Sequence, residues 1–370
     1  MTAPRALAGL VGVVIVVAAA GVARAYPEFQ LSRDQTCSSC HLSPAGGGLL
    51  SENGLATAES NATWDVAPEA AHGALVGPSW LEVGAELRGA AGVVDDRGAS
   101  PAGFPMQADG EAAAKSGALT LYATLGIQEG HDVPSFFASR EHWAMWQSDA
   151  GSPNGLFVRA GRFMPVYGLR LADHTAYTRR DGQTPLYGEA YGVAVEDIQP
   201  RWEAHATGFV HDPLQYSAET GNGAALYVEA RPVKAFSIGL EGRYAKGDPD
   251  ERVAGGATAK LWIAAANLLL EGEVQGIRQT FAAGGQRDQV VSYLLASWFV
   301  HDGWMLDVGG GQFDEDTDVP HVDLEGVDVN VHWFATSHWE LLLTNRIQMI
   351  ALGSGGPTSG YSLVQFHYRL

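Results

Sequence analysis

The chain is expected to fold as an all-β protein: an antiparallel β-barrel of the outer-membrane type, with about 14–16 strands and a short N-terminal segment before it. Three observations predict this. An export leader opens the chain. The only two cysteines of 370 residues fall in one Cys-x-x-Cys-His motif, Cys37-Ser38-Ser39-Cys40-His41. From Trp80 onward, apolar and polar residues alternate in runs of about ten, the length at which a tilted strand crosses a bilayer.

Residues 1–25 read as the leader. Arg5 supplies the positive start, Ala6 to Val22 the apolar stretch, and Ala23-Arg24-Ala25 a small-x-small cleavage site, so the mature chain is expected to begin at Tyr26. An uncleaved membrane anchor is the competing reading, and the short apolar run disfavours it. Export also suits the motif, because an exported chain can satisfy both thiols with haem.

Residues 26–78 form the haem segment and linker. Cys37 and Cys40 stand three positions apart, one helical turn, which suits thioether bonds to the two vinyl groups of one haem. His41 then offers the proximal nitrogen to iron. A redox or disulfide pair would not need the histidine and would usually sit in a βαβ context. A zinc site would need four ligands, and only one Cys-x-x-Cys is present. The site is therefore Cys37 and Cys40 as covalent haem attachments with His41 as iron ligand, for one haem c. The sixth ligand is open. His72 is the first candidate, as the only other histidine before the barrel, and no methionine lies between the leader and Met106. Side chains facing the lumen compete with it: His142, His205, His211, His332, Met106 and Met164. About fifty residues cannot bury a haem alone, so a wall from elsewhere is expected.

Residues 79–370 form the barrel. Leu81, Val83, Ala85 and Leu87 alternate with Glu82, Gly84, Glu86 and Arg88. Leu119 to Gln128, Leu226 to Arg231, Phe236 to Tyr244, Leu268 to Gln279, Trp304 to Phe313, Val327 to Trp333 and Glu340 to Ile350 read similarly. The charged face is expected to line a wet lumen. Short turns are expected at Arg231–Lys234, Ala266-Asn267 and His301–Gly303. Longer loops are expected over 95–116, 130–135, 247–256, 281–286 and 314–320. Trp80, Trp202, Trp298, Trp304, Trp339 and Tyr361 suit interfacial girdles. The last ten residues, Tyr361 to Leu370, alternate as a closing strand, and an ordinary sandwich strand would read the same way. No mature segment has 18 consecutive apolar residues, so membrane helices are not expected.

One cluster concentrates base in an acidic chain: Arg159, Arg162, Arg170, Arg179 and Arg180, with Asp173, His174 and Asp181. It reads either as a lumenal patch facing haem propionates or the plug, or as a structural loop neutralised by carboxylates. The chain as a whole carries 42 Asp+Glu against 23 Lys+Arg, a net charge of −19. That excludes nucleic acid as a partner and favours cations or basic proteins.

Pro27-x-Phe29, Arg33, Cys37-Ser-Ser-Cys40-His41, Pro44 and Gly54, followed by a barrel to the C-terminus, resemble the fused monohaem cytochrome–porins of Gram-negative bacteria. The run Gly161-Arg-Phe-x-Pro165-x-Tyr-Gly168 is also similar to strand–loop segments of porins. The chain departs from the family at Leu49-Leu-Ser-Glu-Asn53-Gly54, which lacks the aromatic and arginine common there. The resemblance implies that the Pro44 carbonyl accepts the His41 ring N–H. It also implies an outer-membrane location and lipid contact. The work implied is electron transfer between an extracellular donor or acceptor, such as Fe(II), and periplasmic c-type cytochromes. Electron transfer rather than bond-making is expected, with iron oxidation as a possible enzymatic activity. The alternatives are a solute-conducting porin with a haem-bearing periplasmic appendage, and a soluble periplasmic β-rich cytochrome c.

Overall fold

A computed structural model describes residues 29–64, 78–96, 98–127, 138–213, 221–320, 322–350 and 358–370. The expected leader and His72 lie outside the described residues. Three short helices come first: α1 (Phe29–Ser32), α2 (Cys37–Cys40) and α3 (Glu52–Glu59). Eight strands follow: β1 (Leu81–Asp95), β2 (Ala99–Ser116), β3 (Leu119–Ile127), β4 (His142–Gln147), β5 (Gly155–Phe163), β6 (Ala190–Gln199), β7 (Trp202–Val210) and β8 (Gly221–Val233). Eight more complete the sheet: β9 (Phe236–Gly247), β10 (Asp250–Ile263), β11 (Leu268–Phe281), β12 (Gln286–His301), β13 (Trp304–Asp314), β14 (Leu324–Phe334), β15 (Trp339–Ile350) and β16 (Thr358–Arg369).

Each strand pairs antiparallel with its chain neighbours, and β16 returns to β1, with Ala90 opposite Gln365, to close a 16-stranded barrel. Closure leaves no sheet edge, the condition a strand protein must meet in lipid. The faces are sorted opposite to those of a water-soluble barrel. Leu121, Leu240 and Leu294 are 59%, 65% and 61% exposed on the outside, whereas Glu196, Glu203 and Glu229 on the inside are fully buried. An apolar exterior and a charged interior are what a hydrocarbon surrounding selects. Among the described residues no helix is long and apolar enough to cross a membrane.

The two ends differ. At the end that holds the start of β1 and the end of β16, most connections are short, as at residues 117–118, 200–201, 234–235 and 302–303. The opposite end carries the long connections 128–141, 164–189 and 211–220. Trp80, Trp202, Trp298, Trp304 and Trp339 are all exposed near the short-turn end, forming a girdle on that side. Tyr361 does not belong to it. Its hydroxyl meets Thr175 Oγ1 at 3.1 Å inside the lumen.

Residues 95–116, expected as a loop, are mostly strand β2. Pro101 and Pro105 obscured the alternation there, yet Pro101 pairs with Val93 and Pro105 with Gly89, beside a register shift at Arg88/Gly89. A bulge is where a strand tolerates a residue without an N–H. Residues 247–256 likewise form a tight 248–249 turn flanked by β9 and β10. The expected turn at Arg231–Lys234 moves to 234–235, because β8 runs on through Pro232 across another register shift. The loop expected at 130–135 lies outside the described residues.

Candidate functional site in the barrel lumen

The N-terminal segment is folded into the short-turn end of the barrel. Its anchors begin with apolar packing: Phe29 and Leu31, each 4% exposed, join Leu269, Phe299, Met305 and Phe334 of the wall. Burying two such side chains stabilises docking by about 1.5–3 kcal/mol each. Polar anchors follow. Lys260 Nζ donates to Gln30 Oε1 at 2.7 Å, and Gln30 Nε2 donates to Glu203 at 3.2 Å. Arg231 Nη1 donates to the Gln35 carbonyl at 3.3 Å, and Arg159 Nη1 to Ser43 Oγ at 2.9 Å. Beyond α3, the amides of Thr63 and Trp64 donate to the Phe334 and Ala335 carbonyls at 2.9 and 3.0 Å.

Within this segment the motif is a single helical turn. The His41 amide closes it on the Cys37 carbonyl at 2.9 Å. Thr36 Oγ1 lies 2.8 Å from Ser39 Oγ at the turn's start. His41 then pairs antiparallel with Leu50, so Gly46, Gly47 and Gly48 make the reversal, all three at positive φ. A Cβ at Gly46 would meet Cys37 Cβ at 3.8 Å, so the glycine turn lies against the first thiol. Ser51 caps α3 by accepting from the Gly54 amide at 3.1 Å, and a side chain at Gly54 would overlap the Cys40 carbonyl. Helix α3 thus packs directly on the motif backbone.

Cys37 and Cys40 are not bonded to one another in this structure. Cys40 Sγ donates to Gln35 Oε1 at 3.0 Å. Burial pushes both thiols above their ordinary pKa. They are held as neutral groups, unlike the low-pKa thiolates of redox catalysts. Burial also lowers His41 to about 4, leaving a neutral imidazole of the kind that coordinates metal.

The second wall of the site is the long connection 164–189, which turns inward from the opposite end. Glu273 accepts from the Leu169 amide at 3.1 Å, and Gln275 Nε2 donates to the Thr178 carbonyl at 3.1 Å. Tyr177, fully buried, lies over Gly311 and Gly326, where a Cβ would strike its ring. Gly168, at φ +64°, lets the chain pass close to Glu273.

Between the segment and this loop lies a cavity of about 310 Å³, lined by Cys37, Cys40 and His41 on one side and by Met164 to Val166, Leu169 and Leu171 on the other. Arg140, Arg159, Arg170, Arg179 and Arg369 also border it. A second chamber of about 520 Å³, lined by Arg88, Met106, Arg140, His174 and Arg179 among others, shares Arg140, Ala172 and Arg179 with the first.

The basic cluster divides. Arg159, Arg170 and Arg179 reach the cavity, whereas Arg162 pairs with Asp212 at 3.1 Å and Arg180 with Asp181 at 2.7 Å. Arg159 is neutralised by Glu196 at 3.1 Å and Arg170 by Glu203. Arg179 donates to the Leu171 and Thr184 carbonyls. Arg159 and Arg170 thus touch the N-terminal segment, at Ser43 and the Ala45 carbonyl, while being neutralised by carboxylates as Arg162 and Arg180 are.

The residues present fit a haem. His41 Nδ1 is a buried nitrogen with no hydrogen-bond partner among the described residues, and a Cβ at Gly47 would enter open space. Most of the cavity's surface is apolar, and five arginines border it together with the carboxylates Glu141 and Glu189; the apolar surface suits a macrocycle and the arginine excess its two carboxylates. The unpartnered Nδ1 also means that the Pro44 carbonyl contact implied by the resemblance is not made in this conformation. Among the described residues no group of three or more His, Cys, Asp or Glu side chains is placed to hold a bare metal ion.

Most sixth-ligand candidates are engaged elsewhere. His142 is bound by Ser139 and Tyr191, and His205 lies between Glu196 and Glu203. His332 lies between Asp307 and Glu340, His211 follows β7 at the far end, and Met106 lines the second chamber. Met164 alone of these candidates lines the cavity of the motif. Sequence reasoning missed Arg140, Arg369 and the anchoring carboxylate Glu203. Alternation places Glu203 inside the barrel, but nothing local says which chain segment it holds.

No protein-family model matches the chain, and no curated protein matches it. Solved structures do share its fold. Outer-membrane expressed OmpT of Vibrio cholerae superposes with a TM-score of 0.61 at 11% identity, over 80% of this chain and 99% of that one. An anion-selective porin from Comamonas acidovorans gives 0.59 at 12% identity, over 78% and 99%. The outer membrane channel DcaP of Acinetobacter baumannii gives 0.56 at 8% identity, over 78% and 97%. The chain therefore has the porin-like, 16-stranded fold of outer-membrane barrels.

Proposed function

We propose that the chain is an outer-membrane electron carrier, in which a porin-like barrel encloses one haem c attached through Cys37 and Cys40, with His41 as proximal ligand. The observation that carries this reading is the position of the motif: it lines a cavity inside the lumen that the infolded 164–189 connection also lines. A covalently held haem supplies one-electron exchange between ferrous and ferric iron. The chain's own residues supply the rest. Phe29, Leu31 and the Lys260–Gln30–Glu203 chain hold the segment in register with the wall. The cavity arginines would offer donors to its propionates.

The hydrocarbon layer is about 30 Å thick, so a redox group within the lumen divides the distance between partners on the two sides. The periplasmic partner is a c-type cytochrome, and the extracellular one a metal ion such as Fe(II) or another redox carrier. The test is reconstitution of the matured protein in vesicles that enclose a reduced c-type cytochrome, with a ferric chelate outside. Oxidation of the enclosed cytochrome is expected with the wild type and is lost with Cys37→Ala/Cys40→Ala. Equal rates for both proteins would overturn the reading.

A second reading, a solute-conducting porin, is favoured by the likeness to an anion-selective porin and by the arginine-lined chambers. It differs in its readout. Ion conductance in a planar bilayer would then be high and unaffected by the two cysteine substitutions, with no electron transfer to lose.

A further inference from the structure

A haem held at one wall by His41 leaves its opposite axial position to whatever the facing wall presents. The start of the 164–189 connection lines the same cavity as the motif. Met164, the first residue after β5, lines the same cavity as Cys37, Cys40 and His41. A thioether suits the position chemically: it has lone pairs to give, no proton to lose and little desolvation to overcome in an apolar pocket. The histidines that could compete already use their ring nitrogens. His205 lies between two buried carboxylates, and His332 meets Asp307 at 2.9 Å and Glu340 at 2.7 Å. Recruiting either would strip buried acids of their partners.

The chain also makes room for this side chain. A Cβ built on Gly188, at the far end of the same connection, would lie 3.3 Å from both Sδ and Cε of Met164. Gly188 therefore sets where the thioether sits.

We infer that Met164 Sδ is the second axial ligand of the haem carried by Cys37, Cys40 and His41, with Gly188 as a positioning residue. The inference rests on the haem reading of that motif. Its consequence is a haem potential raised relative to that given by a second histidine.

The test uses the full matured chain in detergent. Covalent attachment is read by haem stain after denaturation, and ligation by the far-red charge-transfer absorption that methionine gives on ferric haem. Wild type is expected to show both. Met164→Ala and Met164→Leu should keep the stain and lose the far-red band. Met164→His should keep a low-spin spectrum with a lowered midpoint potential. Gly188→Ala should keep the stain and shift or weaken the band. A band that persists in Met164→Ala and Met164→Leu, or a stained wild type that lacks it, overturns the inference while leaving the haem reading intact. An unstained wild type overturns the haem reading itself.

Discussion

Glu203→Gln removes one charge from the centre of the anchoring network and leaves the shape almost unchanged. Glu203 is fully buried, pairs with Arg170, meets Arg231 Nη2 at 3.0 Å and His205 Nε2 at 3.6 Å, and accepts from Gln30. At an effective dielectric constant of about 20, the Arg231 contact alone is worth about 5.5 kcal/mol of Coulomb attraction, before desolvation is set against it. Breaking a buried network on one side costs about 3–5 kcal/mol net, because two guanidinium groups lose their shared counter-charge. The loss falls on docking of the N-terminal segment, since Gln30 and the Gln35 carbonyl are held through these same side chains. At about 1.4 kcal/mol per tenfold, residues 29–40 should open roughly 100- to 4000-fold more often. Hydrogen exchange read by mass spectrometry on the full chain in detergent measures this, with exchange in β11 and β12 unchanged. Glu315→Gln serves as control: its partner Arg287 lies at the surface, where a pair contributes about 0–1 kcal/mol. Unchanged exchange in residues 29–40 of Glu203→Gln would refute the reasoning, because it would mean that water already screens the network.

Leu240→Arg places a charge on the apolar exterior of β9 and should cost about 2–4 kcal/mol near the bilayer midplane; folding yield in vesicles, read by heat-modifiable gel migration, should fall, and wild-type yield would refute the lipid-facing assignment. Gly54→Ala forces α3 off the Cys40 carbonyl at about 1–3 kcal/mol of overpacking. The fraction of chains that retain haem stain should drop, and full stoichiometry would show that α3 moves freely. His174 is lowered to about 4, by burial first, with Arg179, Arg88 and Arg140 adding to the effect and Asp173 opposing it. A folded pKa below the ordinary value of about 6.5 means that the folded loop disfavours the proton. The stability contributed is present above about pH 6.5 and lost as pH falls toward 4, up to about 3 kcal/mol. Exchange in residues 164–189 should therefore rise on acidification, and His174→Gln should flatten that rise; a rise of equal size in the variant would assign it to another group.

The sequence by itself determined the barrel. Leu119, Leu121 and Leu125 alternating with polar neighbours settle which faces meet lipid, because a strand's side chains alternate with period two whatever its partners. Cys37, Cys40 and His41 lie within five residues, so the proposed haem attachment can be read from the sequence without any distant contact. Local signals failed where a strand carried prolines, as in β2, and where an aromatic at a strand end faced inward, as Tyr361 does. Tertiary structure decided what no local pattern encodes: that the motif enters the lumen, that the 164–189 connection folds back to face it, and that Glu203, Arg231 and Lys260 hold the two together. Those contacts join residues up to 230 positions apart, as Gln30 and Lys260 are. Their specificity comes from burying charge only where a partner awaits it, a condition met by the closed barrel as a whole and written in no single stretch of the chain.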